Sequence, residues 1–173
     1  MKLHVIGIPS AGKTTLGKEL SRLLEIPFYA LDAIAYLDER WTERSPAERD
    51  ELVRQILERP ARVTEGGFLG WTSALFEAAD RIVWLDPPLR TLVWRHLRRH
   101  ARQPWRIPSQ LAFQIRMYLR APGEGPLASD PDQTRTGIGD ALRSWRRKVI
   151  RVTRPVTAIE LVDAFGLSMS ADN

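Results

Sequence analysis

The 173-residue chain contains no cysteine. That excludes disulfide scaffolds, cysteine-ligated zinc, iron–sulfur clusters and thiol nucleophiles, and a chain of this length buries enough surface to fold without them. No apolar run approaches the roughly 20 residues that a membrane-crossing helix needs; the longest are short stretches such as Ile82 to Leu85. The opening MKLHVIGIPS has neither the apolar region nor the cleavage site of a signal peptide. The expectation is a soluble cytoplasmic protein with no membrane partner, its oligomeric state open. Lysine is also scarce, at four residues against 22 arginines. Acidic residues are absent from Pro87 to Gly123, where Arg90, Arg95, Arg98, Arg99, Arg102, Arg106, Arg116 and Arg120 fall. Residues 1–85 carry eleven basic and thirteen acidic side chains, residues 86–173 fifteen and eight. Such a basic half points to nucleotide phosphates or a nucleic-acid backbone, or to a solvated helix face.

The order of apolar patterns alternates strand and helix. Strands are expected at Leu3–Ile8, Pro27–Leu31, Ala61–Glu65, Arg81–Leu85 and Val156–Val162, from short apolar runs closed by Gly or Pro. Helices are expected at Thr14–Leu24, Pro46–Leu57 (opened by the capping box Ser45-Pro46-Ala47-Glu48), Trp71–Ala79, Pro88–His100, Ser109–Arg120 and Ile138–Arg151. This predicts a three-layer α/β/α fold with a five-stranded parallel sheet in the order 2-3-1-4-5, one domain over residues 1–173, and a lid and mobile loop at about 101–137. Ligands of such sheets bind at the carboxyl ends of the strands.

Gly7-Ile8-Pro9-Ser10-Ala11-Gly12-Lys13-Thr14 matches G-x-x-x-x-G-K-[ST] at every fixed position, between the first strand and the first helix. Backbone N–H groups of such a loop and the positive end of the following helix surround a polyphosphate. Gly7, Pro9, Ser10, Ala11, Gly12, Lys13, Thr14 and Thr15 are therefore the expected nucleotide-binding residues, and ATP and Mg²⁺ the expected cofactors. Lys13 reaches the β- and γ-phosphates, the Thr14 hydroxyl ligates Mg²⁺, and Thr15 bonds the α-phosphate. The N-K-x-D string of guanine recognition and the strand-borne acid pair of motor-like ATPases are both missing. With so small a chain, a small-molecule kinase is the expectation.

Tyr29-Ala30-Leu31-Asp32, Trp41, Val63-Thr64-Glu65-Gly66-Gly67-Phe68 and Trp84-Leu85-Asp86-Pro87-Pro88, leading to Arg95 and Arg99, stand in an order that resembles the adenylate-kinase-like P-loop kinases, and within them the DNA topology modulation protein family. That family is expected to show HLD, DGNY and LDxPR, where this chain has ALD, EGGF and LDPPL. The resemblance implies that Asp32 holds an acceptor hydroxyl and accepts its proton, or binds Mg²⁺ through water, the other reading being a cap of the helix before Ala33. It places Glu65 at a Mg²⁺-linked position, Gly66 and Gly67 where the backbone approaches substrate, Trp41 at the pocket, and Arg95 and Arg99 among the lid arginines. Arg143 and Arg147 are a further pair on one helix face. Shikimate kinases are similar in plan but carry a second acid two residues after the first, where this chain has Ile34. His96 and His100, at i and i+4 among arginines, read as basic surface rather than as a metal site. An alternative function is a nucleotide-gated nucleic-acid-binding or DNA-topology regulatory protein without kinase activity, for which no nucleic-acid motif is present.

Overall fold

Leu3, Val5 and Ile6 of the first strand have at most 1% of their surface exposed, as apolar side chains on both faces of a covered parallel strand must. The structure, a computed structural model, describes residues 1–38, 41–100, 107–125, 130 and 132–166. Its strands are β1 (Lys2–Ile6), β2 (Phe28–Ala30), β3 (Arg62–Glu65), β4 (Arg81–Leu85) and β5 (Val149–Val152). All neighbours pair parallel, in the order β2-β3-β1-β4-β5, which is the expected sheet. The helices are α1 (Lys13–Leu24), α2 (Leu31–Ala35), α3 (Pro46–Leu57), α4 (Ser73–Ala78), α5 (Leu89–His100), α6 (Ile107–Leu119), α7 (Arg135–Ala141) and α8 (Ala158–Phe165). Among the described residues, no helix is long and apolar enough to cross a membrane.

The helices form where local chemistry demands. Leu16, Leu20 and Leu24 recur at helical spacing and bury one face of α1. Ser45 and Glu48 close a reciprocal capping box at α3, with Pro46 at its first turn. A main core joins the sheet to α1, α6 and α8. A second cluster, built on Leu31, Ile34, Val53, Ile56, Phe68 and Leu75, lies under α2, α3 and α4.

One strand is not where the sequence pattern put it. Val156–Val162 does not form the last strand: Thr157 and Glu160 make a second capping box, and α8 follows with Ala158 and Leu161 buried. The expected helix at Ile138–Arg151 stops at Ala141, continues as a 3-10 turn to Trp145, and gives way to β5. In β5, Ile150 and Val152 face inward while Arg151 stays exposed. In the expected loop at 121–137, Asp130, Gln133 and Thr134 are buried. Its residues 126–129 and 131, like 101–106 at the start of the expected lid, lie outside the described residues.

His4, on β1, is fully buried with its ring edge-on to Phe76. The Thr64 hydroxyl donates to Leu3 O, so it accepts from His4 Nδ1–H at 2.8 Å. Nε2 is left as a bare lone pair without a partner. Burial first, then the charges of Arg62 and Lys13, push the His4 pKa down to about 3 from 6.5. The unfolded chain therefore takes up this proton near pH 6.5 while the native state does so only near 3. Stability is expected to fall across that window by up to about 1.4 kcal/mol per pH unit. Glu65 and Asp130, whose pKa values burial raises, oppose this trend. The contribution of His4 is thus the difference between wild type and His4→Leu in urea midpoints at pH 7, 6 and 5, and a constant difference refutes it.

Candidate functional site

β1, β2 and β3 end side by side, with Val5 and Ala30 both in register with Glu65. The loop after β1 must pass close over the end of β4. A Cβ on Gly7 would lie 2.5 Å from the Leu85 carbonyl oxygen, so only glycine fits there. Ser10 and Gly12 take left-handed φ values of 60° and 100°, which curls the loop so that successive N–H groups converge. Gly12 caps α1 without any side-chain bond, leaving the first helical N–H groups open to an anion.

Two clefts flank this loop. The larger, of about 590 Å³, is lined by Gly7, Pro9, Ser10, Gly12, Lys13, Thr14 and Thr15 of the loop, by Asp32, Tyr36, Trp41, Glu65, Gly67, Phe68 and Gln133, and by His96, Arg99, His100, Gln110, Phe113, Gln114 and Met117 of α5 and α6. Lys13 Nζ donates to Ile8 O at 3.3 Å. Burial holds its pKa below the ordinary lysine value, with Glu65 and Asp32 pulling it back up and Arg99 pushing it down. The Thr14 hydroxyl donates to Glu65 Oε1 at 3.0 Å. Burial raises the Glu65 pKa, opposed by Lys13 and the Thr14 bond. Hydroxyl and carboxylate oxygens at one cavity wall are the hard donors that Mg²⁺ takes, so Thr14 and Glu65 fit the metal expected of them.

Asp32 is exposed and lines the same cavity. Ala30 occupies the N-cap of α2 and makes no side-chain bond, so the Asp32 carboxylate is not the helix cap. Gly67 lines the cavity, whereas Gly66 faces Leu31: a Cβ there would meet the Leu31 side chain at 2.8 Å. Gly66 is thus a packing glycine, its N–H held by Val5 O. Gln114 Nε2 donates to Pro9 O at 2.9 Å and ties α6 down onto the phosphate loop.

The second cleft, of about 380 Å³, lies on the other side of the loop, between Ala11, Gly12 and Thr15 and the segment Arg154-Pro155-Val156-Thr157 that follows β5. Arg95 lines it and donates to Ala11 O, while Arg99 lines both clefts. Arg98 instead lies over the exposed Trp94. Arg95 and Arg99, four residues apart, thus both line a cleft beside the loop. Arg143 pairs with Asp140 in solvent, and Arg147 is exposed. Arg102 lies outside the described residues.

The reading of His96 as basic surface is overturned. It is 4% exposed, its ring is 4.6 Å from that of His100, and both rings line the large cavity. Leu92 and His96, four residues apart, form the buried stripe of α5. Among the described residues no group of three metal-ligating side chains occurs. The second cleft was not foreseen, since Arg154–Thr157 becomes a cleft wall only once β5 is placed at Val149–Val152.

A five-stranded parallel sheet in the order 2-3-1-4-5, with this loop after β1 and helices on both faces, defines a P-loop kinase fold. Solved structures agree. A gluconokinase from Sinorhizobium meliloti 1021 superposes with a TM-score of 0.56 at 17% identity, over 94% of this chain and 87% of that one. A shikimate kinase from Acinetobacter baumannii in complex with shikimate gives 0.52 at 15% identity, over 96% and 95%. A shikimate kinase from Aquifex aeolicus vf5 gives 0.51 at 20% identity, over 96% and 95%. At these identities the likeness is one of fold. No family model matches the chain, and no curated protein matches it in sequence.

Proposed function

We propose that this chain is an ATP-dependent phosphotransferase that moves the γ-phosphoryl group to a hydroxyl of a small molecule. One observation carries the proposal: the phosphate loop with Lys13 and Thr14, the carboxylates of Glu65 and Asp32, and Arg99 all open into one cavity. The structural neighbours, a gluconokinase and a shikimate kinase, support the class. Ile34, buried on α2, stands where shikimate kinases are expected to carry their second acid and argues against shikimate as acceptor.

On this reading the second cleft takes the base and ribose, and the loop N–H groups hold the phosphates. Asp32 accepts the acceptor proton as the acceptor oxygen bonds to the γ-phosphorus and the bond to the ADP oxygen breaks. Lys13 and Arg99 offset the charge that spreads over the transferring oxygens. Thr14 and Glu65 would hold Mg²⁺, which would supply neutralisation of phosphate charge. Asp32→Asn is expected to lower transfer about 10²- to 10⁴-fold with ATP-analogue affinity unchanged. The check is ADP release from Mg·ATP with pooled nucleosides, nucleoside monophosphates, sugars and hydroxy acids. Unaltered transfer in Asp32→Asn removes it from the chemistry.

A second reading, a nucleotide-gated nucleic-acid-binding protein of the topology modulation kind, is favoured by the outer face of α5. There Trp94 is 58% and Leu97 42% exposed beside Arg98 in the acid-free stretch. ATP turnover that requires DNA, with DNA affinity falling steeply with salt, is the result that replaces the kinase.

A further inference from the structure

Trp41 is 64% exposed, second only to Leu119 among the described large apolar side chains. It also holds a left-handed φ of 64°, a conformation that a bulky side chain adopts only under constraint. The constraint is visible. Trp41 N–H donates to Asp38 O at 3.2 Å, the Asp38 carboxylate takes both the N–H and the hydroxyl of Thr42, and Leu37 N–H closes onto Thr42 O at 2.8 Å. Folding thus fixes a strained backbone and presents an indole largely to solvent, with little burial to offset either cost.

The indole stands at the large cavity. It meets Tyr36 edge-on, with ring centroids 4.9 Å apart at 86°. Tyr36 in turn packs on Phe68, which is 7% exposed and anchored in the second core. This aromatic wall lines the cavity together with Asp32 of α2 and Glu65 at the end of β3. The cationic side chains among the described lining residues come from elsewhere: Lys13 from the loop and Arg99 from α5. Nearby Arg44 and Arg49 are engaged with Ile34 O and the Trp71 ring. The wall therefore offers π-faces and hydrogen-bond-accepting carboxylates, which suit a flat ring that carries hydroxyl groups.

The space fits as well. With the base and ribose of ATP in the second cleft, the 590 Å³ cavity has only the phosphates to hold besides the acceptor, and a cavity of that size suits a drug-sized molecule.

We infer that the phosphoryl acceptor is an uncharged alcohol carrying a flat ring, of the nucleoside class, with its ring on Trp41 and its hydroxyl at Asp32. This rests on the kinase reading. The acceptor hydroxyl gives its proton to Asp32, its oxygen forms the new bond to phosphorus, and ADP leaves with the electron pair of the broken bond. Trp41 acts on binding, since it lies at the ring and not at the reacting atoms.

The experiment is ADP release from Mg·ATP by the full chain with three sets of acceptors: nucleosides, the hydroxy acids gluconate and shikimate, and ribose with glycerol. A nucleoside is expected to exceed every member of the other sets at least tenfold in kcat/KM. Trp41→Ala is expected to raise the nucleoside KM ten- to a hundredfold, as loss of one base–aromatic stack does, with kcat changed less than threefold, and Trp41→Phe to recover most of the loss. Turnover that prefers a hydroxy acid or ribose, or a Trp41→Ala enzyme with unaltered nucleoside KM, overturns the inference and leaves the kinase standing. No ADP release with any acceptor overturns both.

Discussion

Lys13→Ala is expected to reduce acceptor-dependent ADP release by at least about 10²–10³-fold, the usual cost of removing one pre-placed charge-stabilising group. The geometry makes the loss larger than that of a single contact. Glu65 and Asp32 both act on the Lys13 pKa, pulling it up against burial. Without it the two acids repel each other and the incoming phosphates. Lys13 is also the largest influence holding the Glu65 pKa down against burial, so its removal raises that pKa further and weakens the carboxylate as a metal ligand. Phosphate binding, metal binding and the alignment of Asp32 should fail together. The fold should not, because the side chain makes one hydrogen bond, to Ile8 O, and its burial as a charge is itself unfavourable. The melting temperature is expected to stay within a few degrees of wild type. A Lys13→Ala protein that turns over at the wild-type rate refutes the phosphate-loop assignment, and one that is unfolded moves Lys13 from chemistry to structure.

What was legible in the sequence was legible because its signals are local. The phosphate loop is a string whose glycines answer to steric needs at Gly7 and Gly12, and α3 is announced by Ser45, Pro46 and Glu48. Parallel strands that each end in a chemically distinct residue made the order of the sheet and the positions of Lys13, Thr14, Asp32 and Glu65 readable together. β5 was hidden because its four residues, Val149–Val152, lie among basic side chains and gain their strand character from pairing with Ile82, Val83, Trp84 and Leu85. Thr157 and Glu160 repeat the capping pattern of Ser45 and Glu48, and that signal was sufficient to mark a helix. The misplacement concealed the cleft at Arg154–Thr157. His96 carried no local mark of burial beyond its spacing from Leu92, since what covers it is the packing of α5 against α6. Gly66 shows the opposite case, a motif glycine whose freedom is used against Leu31 and not against a ligand.

Asp86→Ala is expected to cause the largest loss of stability among single substitutions at polar positions. Asp86 directly follows β4, with its N–H on Val152 O and its side chain 2% exposed. Oδ1 accepts from Arg135 Nε, and Oδ2 from Arg135 Nη2 and from Nε and Nη2 of Arg151. Each arginine also lies over a ring, Arg135 over Tyr118 and Arg151 over Trp84. One carboxylate therefore joins β4, β5, α6 and α7. Breaking a buried pair costs about 3–5 kcal/mol when the abandoned charge stays buried. Here Arg135 and Arg151 are 31% and 49% exposed and regain water, which places the loss near the lower end, about 3 kcal/mol, or roughly 6–12 °C in melting temperature for a chain of this size. Arg151→Ala should cost less, because the more exposed partner is the better solvated one. Asp86→Ala should also weaken binding of an ATP analogue, because the segment Arg154–Thr157 that lines the second cleft hangs from β5. Urea midpoints and analogue calorimetry on the two variants test both effects. If Asp86→Ala melts with wild type, the network contributes no net stability; if it melts early but binds the analogue unchanged, β5 does not position the second cleft.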